Sequence, residues 1–261
     1  MEEISEHRID KWETLMFTYE SALKEIATKI DILNNEFIKI HNYNPIEHVT
    51  SRIKSSESIV KKLKRHGLEV NMDNMQNCLS DIAGIRIVCS FTSDIYRIAD
   101  RISSQSDIQV LTVKNYIANP KPNGYKSYHM VVSVPVYLST GPVNVKVEIQ
   151  IRTIAMDFWA SLEHKIRYKF EGKAPQHINE ELKACSDIVN MLDAKMLQLN
   201  QAIIEARAAQ EDGKEEYQGR NNLCRKYKPG GNERLCGYHR GKDGINTQFR
   251  NRRKYHFHPC R

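Results

Sequence analysis

Asn119-Pro120-Lys121-Pro122-Asn123-Gly124-Tyr125-Lys126-Ser127-Tyr128-His129 leads directly into two segments, 128–138 and 143–152, that are rich in β-branched and aromatic residues. Two prolines, a glycine, two asparagines and two lysines cannot continue a strand or helix, so the loop must be a shaped turn that carries cations. The two segments behind it, separated by Thr140-Gly141-Pro142, predict a β-hairpin. Along Val145-Lys146-Val147-Glu148-Ile149-Gln150-Ile151-Arg152 the side chains alternate. Lys146, Glu148, Gln150 and Arg152 therefore share one face, and the aliphatic residues share the other. A binding loop hangs from a strand pair whose polar face makes the floor of a site.

Before the loop, Asp81-Ile82-Ala83-Gly84-Ile85-Arg86-Ile87-Val88-Cys89-Ser90-Phe91 reads as a buried strand entered through a carboxylate, with Arg86 on one face. That arrangement suits a divalent metal and a phosphate, and equally a structural ion pair. Residues 108–113 predict a further strand leading to Lys114. Residues 73–80 predict a short helix, and 92–104 a longer one with Ser93 or Asp94 as its cap. After Arg152, Thr153 can cap a helix containing Met156, Phe158, Trp159, Leu162 and Ile166, with Asp157 in the first turn pointing back toward the polar strand. His164 on that helix reads as a structural group. The segment after Pro45 is read as a helix running through Arg65 and ending at Gly67, basic along its length. It aligns Lys54, Ser58 and Lys61 or Lys62 on one side, with Arg52 near its start. Such a face can hold a polyphosphate or simply be solvated.

Outside this centre, apolar residues from Ile9 through Trp12, Tyr19, Ile26, Ile30 and Phe37 to Ile40 follow the periodicity of a long amphipathic helix. A second long helix carries Leu182, Ile188, Leu192, Met196, Leu199 and Ile203. The first is read as core or subunit contact, the second as core and oligomer contact. The chain has 261 residues, 40% of them hydrophobic, which is enough for one sizeable core and helical extensions. No run approaches the roughly 20 apolar residues of a membrane span, and the first residues lack a signal peptide's basic and apolar regions. With Cys78, Cys89 and Cys185 isolated in helix or strand patterns, a cytoplasmic protein without membrane attachment is expected. The net charge of +7 is uneven: residues 219–261 hold twelve Lys or Arg against Glu233 and Asp243, leaving −3 for the rest. This basic tail lacks aliphatic periodicity and is expected to be disordered. Its Cys and His residues have no paired C-x-x-C spacing and are not read as a zinc site.

The basic segment, Asp81, Arg86, Lys114, Lys121, Tyr125 and Glu148 form a constellation for two nucleotides and a metal. A triphosphate needs several cations, a base needs a π-face, and a hydroxyl nucleophile needs a carboxylate that takes its proton. Tyr125 follows a glycine that lets the backbone turn sharply beside the ring. Four segments in order, Arg52-Ile53-Lys54-Ser55, Asp81-Ile82-Ala83-Gly84-Ile85-Arg86, Pro122-Asn123-Gly124-Tyr125-Lys126-Ser127-Tyr128-His129 and Glu148-Ile149-Gln150-Ile151-Arg152-Thr153, resemble the synthetase motifs of the RelA/SpoT-homologue family. With no hydrolase-type segment before them and no regulatory one after, residues 8–212 resemble a stand-alone small alarmone synthetase, most similar to the RelP type.

The resemblance implies an α+β fold, a nucleotidyltransferase-like mixed β-sheet flanked by helices with long N- and C-terminal helices. It also implies a homotetramer joined through those helices, and transfer of the β,γ-pyrophosphate of ATP to the 3′-hydroxyl of GDP or GTP, yielding AMP. On this reading residues 1–45 are the N-terminal contact helix, 46–175 the catalytic domain, 176–218 the C-terminal contact helix and 219–261 a tail with the look of non-native, read-through sequence. Arg52, Lys54, Lys62 and Arg86 would hold ATP, with Ser58 and Lys61 as weaker candidates. Asp81 would bind Mg²⁺, and Glu148 would activate the hydroxyl and also touch the metal. Tyr125 would stack on guanine, with Lys114, Lys121, Asn123, His129 and Gln150 on the acceptor side. Asp157 could accept from both guanine N1–H and the exocyclic amine, a pattern adenine lacks. The alternatives are another nucleotidyltransferase, which would release pyrophosphate, and a silent nucleic-acid-binding protein driven by the tail. The concentration of basic charge in the tail argues against the last, and no specific nucleic acid is expected.

Overall fold

A computed structural model of the chain describes residues 2–168 and 175–226, with side chains over 11–166 and 175–210. The chain divides into a unit through Glu205 and a second from Ala206; the described part of the second, 206–226, is helical. The first unit is built on five strands: β1 (Ile46–Ile53), β2 (Ala83–Cys89), β3 (Gln109–Asn115), β4 (Tyr128–Leu138) and β5 (Gly141–Thr153). They form one mixed sheet in the order β1-β2-β5-β4-β3, with β2 and β5 parallel and the other neighbours antiparallel. The hairpin expected from 128–152 is present, closed where Leu138 pairs with Gly141.

One face of this sheet is apolar. Ile85, Ile87, Met130, Val132, Val134, Val147, Ile149 and Ile151 are buried there with α1 (Glu2–His41) and α4 (Thr92–Ser103). Helix α1 contributes Tyr19, Ala22, Leu23, Ile26, Ile30 and Phe37, spaced so that one stripe meets the sheet. It stops at Asn42, which takes a left-handed φ of 49° that Asn tolerates better than most residues. Tyr43 then donates its hydroxyl proton to Asp94 at 2.6 Å, pinning the end of α1 to the first turn of α4. Asp94 is not the helix cap expected of it. The helix begins at Thr92, and Asp94, in the third helical position, folds its carboxylate back onto the Phe91 N–H at 3.3 Å.

A larger correction concerns 46–55. The helix read through Arg65 is instead strand β1 followed by a short α2 (Ser56–Arg65), so Arg52 and Lys54 precede the helix. The reason is physical: β1 is an edge strand with only Ile46 buried, so no apolar alternation marks it, whereas Val49 and Thr50 are β-branched and pair with β2. Ser55 caps α2 by accepting from the Ser58 N–H. Helix α3 (Met72–Cys78) falls where a short helix was expected. Thr153 Oγ1 accepts from the Met156 N–H at 3.1 Å and starts α5 (Ile154–Tyr168). The final helix, α6 (Gln176–Lys226), runs eight residues past the expected boundary at 218, through sequence without proline from Gln176 to Lys226. Residues 227–261 lie outside the described residues, as do the side chains of Cys224, Cys236, His239, His256, His258 and Cys260. Among the described residues no helix is long and apolar enough to cross a membrane. Cys78 and Cys185 are free and exposed and Cys89 is free and buried.

Candidate functional site

The register of the sheet lays out the site. On the face opposite the core, Thr50 pairs with Arg86, Arg86 with Gln150, Gln150 with His129, and His129 with Lys114. One rung along, Arg52 pairs with Gly84, Gly84 with Glu148, Glu148 with Val131, and Val131 with Thr112. Two polar rungs thus cross all five strands, because the period-2 alternation that buries isoleucine and valine on one side presents these groups on the other. Gly84 matters here: a Cβ on it would sit 3.9 Å from both Cγ and Nε of Arg52, so the arginine lies across β2 at that point.

Two cavities open on this face. The first, of about 160 Å³, is lined by Arg52, Gly84, Arg86, Glu148 and Gln150 among others. The second, of about 420 Å³, is lined by Lys114, Tyr116, Lys121, His129, Lys146 and Glu148. Glu148 belongs to both walls. Burial raises its pKa, but the His129 imidazole, 3.6 Å away, and the Gln150 amide, 2.9 Å away, outweigh burial and hold it below the usual carboxylate range. Asp81 stands beside the first group of cations. Its Oδ2 meets Lys54 Nζ at 2.5 Å and Lys62 Nζ at 2.8 Å. Burial raises its pKa too, and the two ammonium groups more than reverse that. Both carboxylates are therefore charged at neutral pH.

The pair suits a divalent cation. Asp81 Oδ1 is buried without a hydrogen-bond partner, and the charge of Asp81 is felt at Glu148. Among the described residues no three His, Cys, Asp or Glu converge as a metal cluster, so an ion here would need further ligands from water or a bound molecule. Arg86 Nε is likewise buried without a partner, beside the first cavity.

Other expected residues fall less simply. Gln150 lines the first cavity rather than the second. Asp157 Oδ1 is shared between Arg152 Nη1 at 2.9 Å and Arg86 Nη1 at 3.3 Å. Asn123 donates to Glu163 at 3.1 Å and accepts from the Tyr125 N–H, so its amide shapes the loop. The Ser58 hydroxyl bonds Ser55 at the helix cap; Ser58 and Lys61 are exposed and line neither cavity. Lys121 Nζ lies 4.8 and 4.9 Å from the ring centroids of Tyr116 and Tyr125. Tyr116, Lys146 and Arg152 were missed as site residues. The last two announced only their face of β5, and Tyr116 showed itself as an aromatic between Lys114 and the loop. Lys146 Nζ donates to the carbonyls of Gln76 and Asn77, tying the floor of the second cavity to α3.

The loop that carries Tyr125 is held by α6. Gly124 adopts φ of +87°, and a Cβ there would approach Ser186 Cβ and Oγ to 2.6 Å. Ser186, itself buried, donates to the Gly124 carbonyl at 2.7 Å. Gly124→Ala should therefore cost about 1–3 kcal/mol through overpacking, in addition to the left-handed backbone. It should displace the loop. Thermal unfolding together with ligand titration checks this, and an alanine variant with unchanged stability and unchanged affinity for the ligand of the second cavity would refute it.

Residues 51–173 match the family described as the region found in RelA / SpoT proteins. GTP pyrophosphokinase YwaC of Bacillus subtilis is 47% identical over 195 residues, covering 75% of this chain and 93% of that protein. GTP pyrophosphokinase YjbM of the same organism is 36% identical over 200 residues, with 76% and 93% covered. Among solved structures, small alarmone synthetase 2 from B. subtilis superposes with a TM-score of 0.67 at 46% identity, covering 73% of this chain and 99% of that one. Small alarmone synthetase 1 from B. subtilis, bound to its product pppGpp, gives 0.68 at 34% identity, with 74% and 97% covered.

Proposed function

This chain belongs to the RelA/SpoT family, and on that footing we infer that it is a GTP pyrophosphokinase, which transfers the β,γ-pyrophosphate of ATP to the 3′-hydroxyl of GDP or GTP and releases AMP. The observation that carries the reading is the position of Glu148, in the wall of both cavities. Two nucleotides seated on either side meet at one carboxylate. In this scheme the first cavity takes ATP: Arg52 and Arg86 flank it, and Lys54 and Lys62 stand beyond Asp81 to meet polyphosphate. The second takes the guanosine nucleotide, with Lys114, Lys121 and His129 toward its ribose and phosphates; the Tyr125 ring, outside that lining but packed beside Lys121 and Tyr116, is read as the surface for the base. Glu148 accepts the 3′-hydroxyl proton, the freed oxygen bonds to the β-phosphorus, and the bond between the α-phosphate and the β-phosphorus breaks to leave AMP. Asp81 and Glu148 would hold Mg²⁺, which supplies charge neutralisation for the phosphates.

The direct test is incubation with ATP, Mg²⁺ and GDP or GTP, with products resolved by ion exchange. AMP formed in step with a more highly charged guanosine nucleotide is expected, and pyrophosphate release would favour nucleotidyl transfer instead. Tyr125→Ala should weaken guanosine-nucleotide binding by about 1–3 kcal/mol, the worth of a base stacked on an aromatic side chain. Unchanged acceptor affinity would sink the stacking assignment.

A homotetramer, and a place in the cytoplasm within the bacterial stringent response, complete the proposal. Its support is the row of exposed apolar residues on α5, including Phe158 and Leu162, and on α6, including Ile188, Met191 and Leu192, more than a lone surface needs. Light scattering should return the mass of four chains; a monomer would count against it.

A further inference from the structure

Arg152 has no part in the scheme above, yet its side chain is only 6% exposed and it gathers the acceptor side of the site around one guanidinium. Nη1 meets Asp157 Oδ1 at 2.9 Å, Nη2 donates to the Tyr125 hydroxyl at 2.6 Å and to Gln150 Oε1 at 3.1 Å, and Nε donates to Ser127 Oγ at 3.4 Å. Two branches leave it and end on the two oxygens of one carboxylate. In the first, Gln150 accepts from Arg152 through Oε1 and donates through Nε2 to Glu148 Oε2 at 2.9 Å. The amide cannot be reversed, since reversal would set NH₂ against the guanidinium and a carbonyl against the carboxylate. In the second, the Tyr125 hydroxyl accepts from Arg152 and is hydrogen-bonded to His129 Nε2 at 2.8 Å. The other ring nitrogen of His129, Nδ1, faces Glu148 Oε1 at 3.6 Å.

We propose that Arg152 is a positioning residue that couples the guanine-stacking ring of Tyr125 to the orientation of Glu148, so that seating the acceptor base and aiming the proton acceptor are one event. The inference rests on the reading of Glu148 as the base and Tyr125 as the stacking ring. An arginine is required: lysine keeps a charge for Asp157 but cannot fork to Tyr125 and Gln150 together. A purely structural Arg152–Asp157 ion pair would be served by either.

The test compares steady-state kinetics of the full chain with those of Arg152→Lys. Expected are a fall in kcat of about tenfold or more, a rise in KM for GDP or GTP, and a KM for ATP within about twofold of the parent. Wild-type kcat, or a loss confined to thermal stability, overturns the proposal. Tyr125→Phe, which keeps the ring and removes only the hydroxyl, decides the matter if the lysine variant does not fold. Its kcat should fall several-fold with the acceptor KM nearly unchanged, and an unaltered kcat overturns the coupling. In a Gln150→Ala background the Arg152→Lys effect on kcat should shrink, because one branch is already cut; full additivity is the contrary result. Failure of the functional reading looks different, since the unsubstituted chain would then yield no AMP with a guanosine acceptor.

Discussion

Glu148→Gln lowers kcat by about 10²-fold or more, the usual worth of a positioned general base, and leaves both nucleotides bound. The substitution is isosteric, so the two cavities keep their shared wall. What changes is charge, proton affinity and polarity: a carboxylate that accepts from Gln150, faces His129 and would share Mg²⁺ with Asp81 becomes a neutral amide with one accepting and one donating end. One of those two neighbours then meets a donor. The hydroxyl proton has nowhere to go, and the attacking oxygen stays neutral. The measurement is the initial rate of AMP formation at saturating ATP and GTP, with binding of each nucleotide measured separately. A rate within a few-fold of the parent would remove Glu148 from the base role. The depressed pKa of Glu148 adds a second mark. A carboxylate held below its ordinary range stays ionised as pH falls, so the acidic limb of kcat/KM lies below the normal glutamate value and does not cut into activity near neutrality.

How far the sequence discloses this site depends on what each signal encodes. Alternation along β5 identifies the face that Glu148, Gln150 and Arg152 occupy, because a strand's period is a local property. It cannot say what lies across the sheet. The pairing of Arg86 with Gln150 is parallel and long-range, and only the assembled order β1-β2-β5-β4-β3 brings Arg52, Glu148 and Lys114 onto adjacent rungs. Hence Gln150, expected on the acceptor side, lines the cavity it shares with Arg52 and Arg86. Likewise Arg152 was legible as a polar residue but not as a hub, since its four partners come from the loop, β5 itself and α5.

Strand β1 shows the opposite limit. Its residues carry little apolar pattern because an edge strand exposed on both faces needs none, and the basic residues after it continue smoothly into α2. The expectation of a single basic helix puts Lys54, Ser58 and Lys61 or Lys62 on one side by helical geometry. Lys54 and Lys62 do converge, but through a turn: the Lys54 N–H bonds the Ile82 carbonyl at 2.8 Å, and both ammonium groups reach Asp81. Ser58, whose place depended on that helix, is occupied with the cap instead.

That convergence makes Asp81→Asn the other large effect, with turnover expected to fall by about 10²–10³-fold, the range seen when a preorganised electrostatic group is lost from a reacting centre. The amide keeps an oxygen but not its charge. Lys54 and Lys62, with side chains only 17% and 24% exposed, then lose the anion that sets their positions, and a divalent cation would lose one of its two charged ligands. Raising Mg²⁺ should restore activity only in small part, because the ammonium groups remain misplaced at any metal concentration. Stability supplies an independent check with a definite sign. Asp81 is depressed in the folded chain, so the stabilisation from its ion pairs is fully present above the ordinary aspartate value and is lost as pH falls through the lower folded value. The thermal midpoints of parent and variant should therefore differ at neutral pH and converge in acid. A constant difference across that range would mean that the lysines stabilise the fold without the Asp81 charge. Activity near that of the parent, at ordinary Mg²⁺, would mean that the phosphates are neutralised elsewhere.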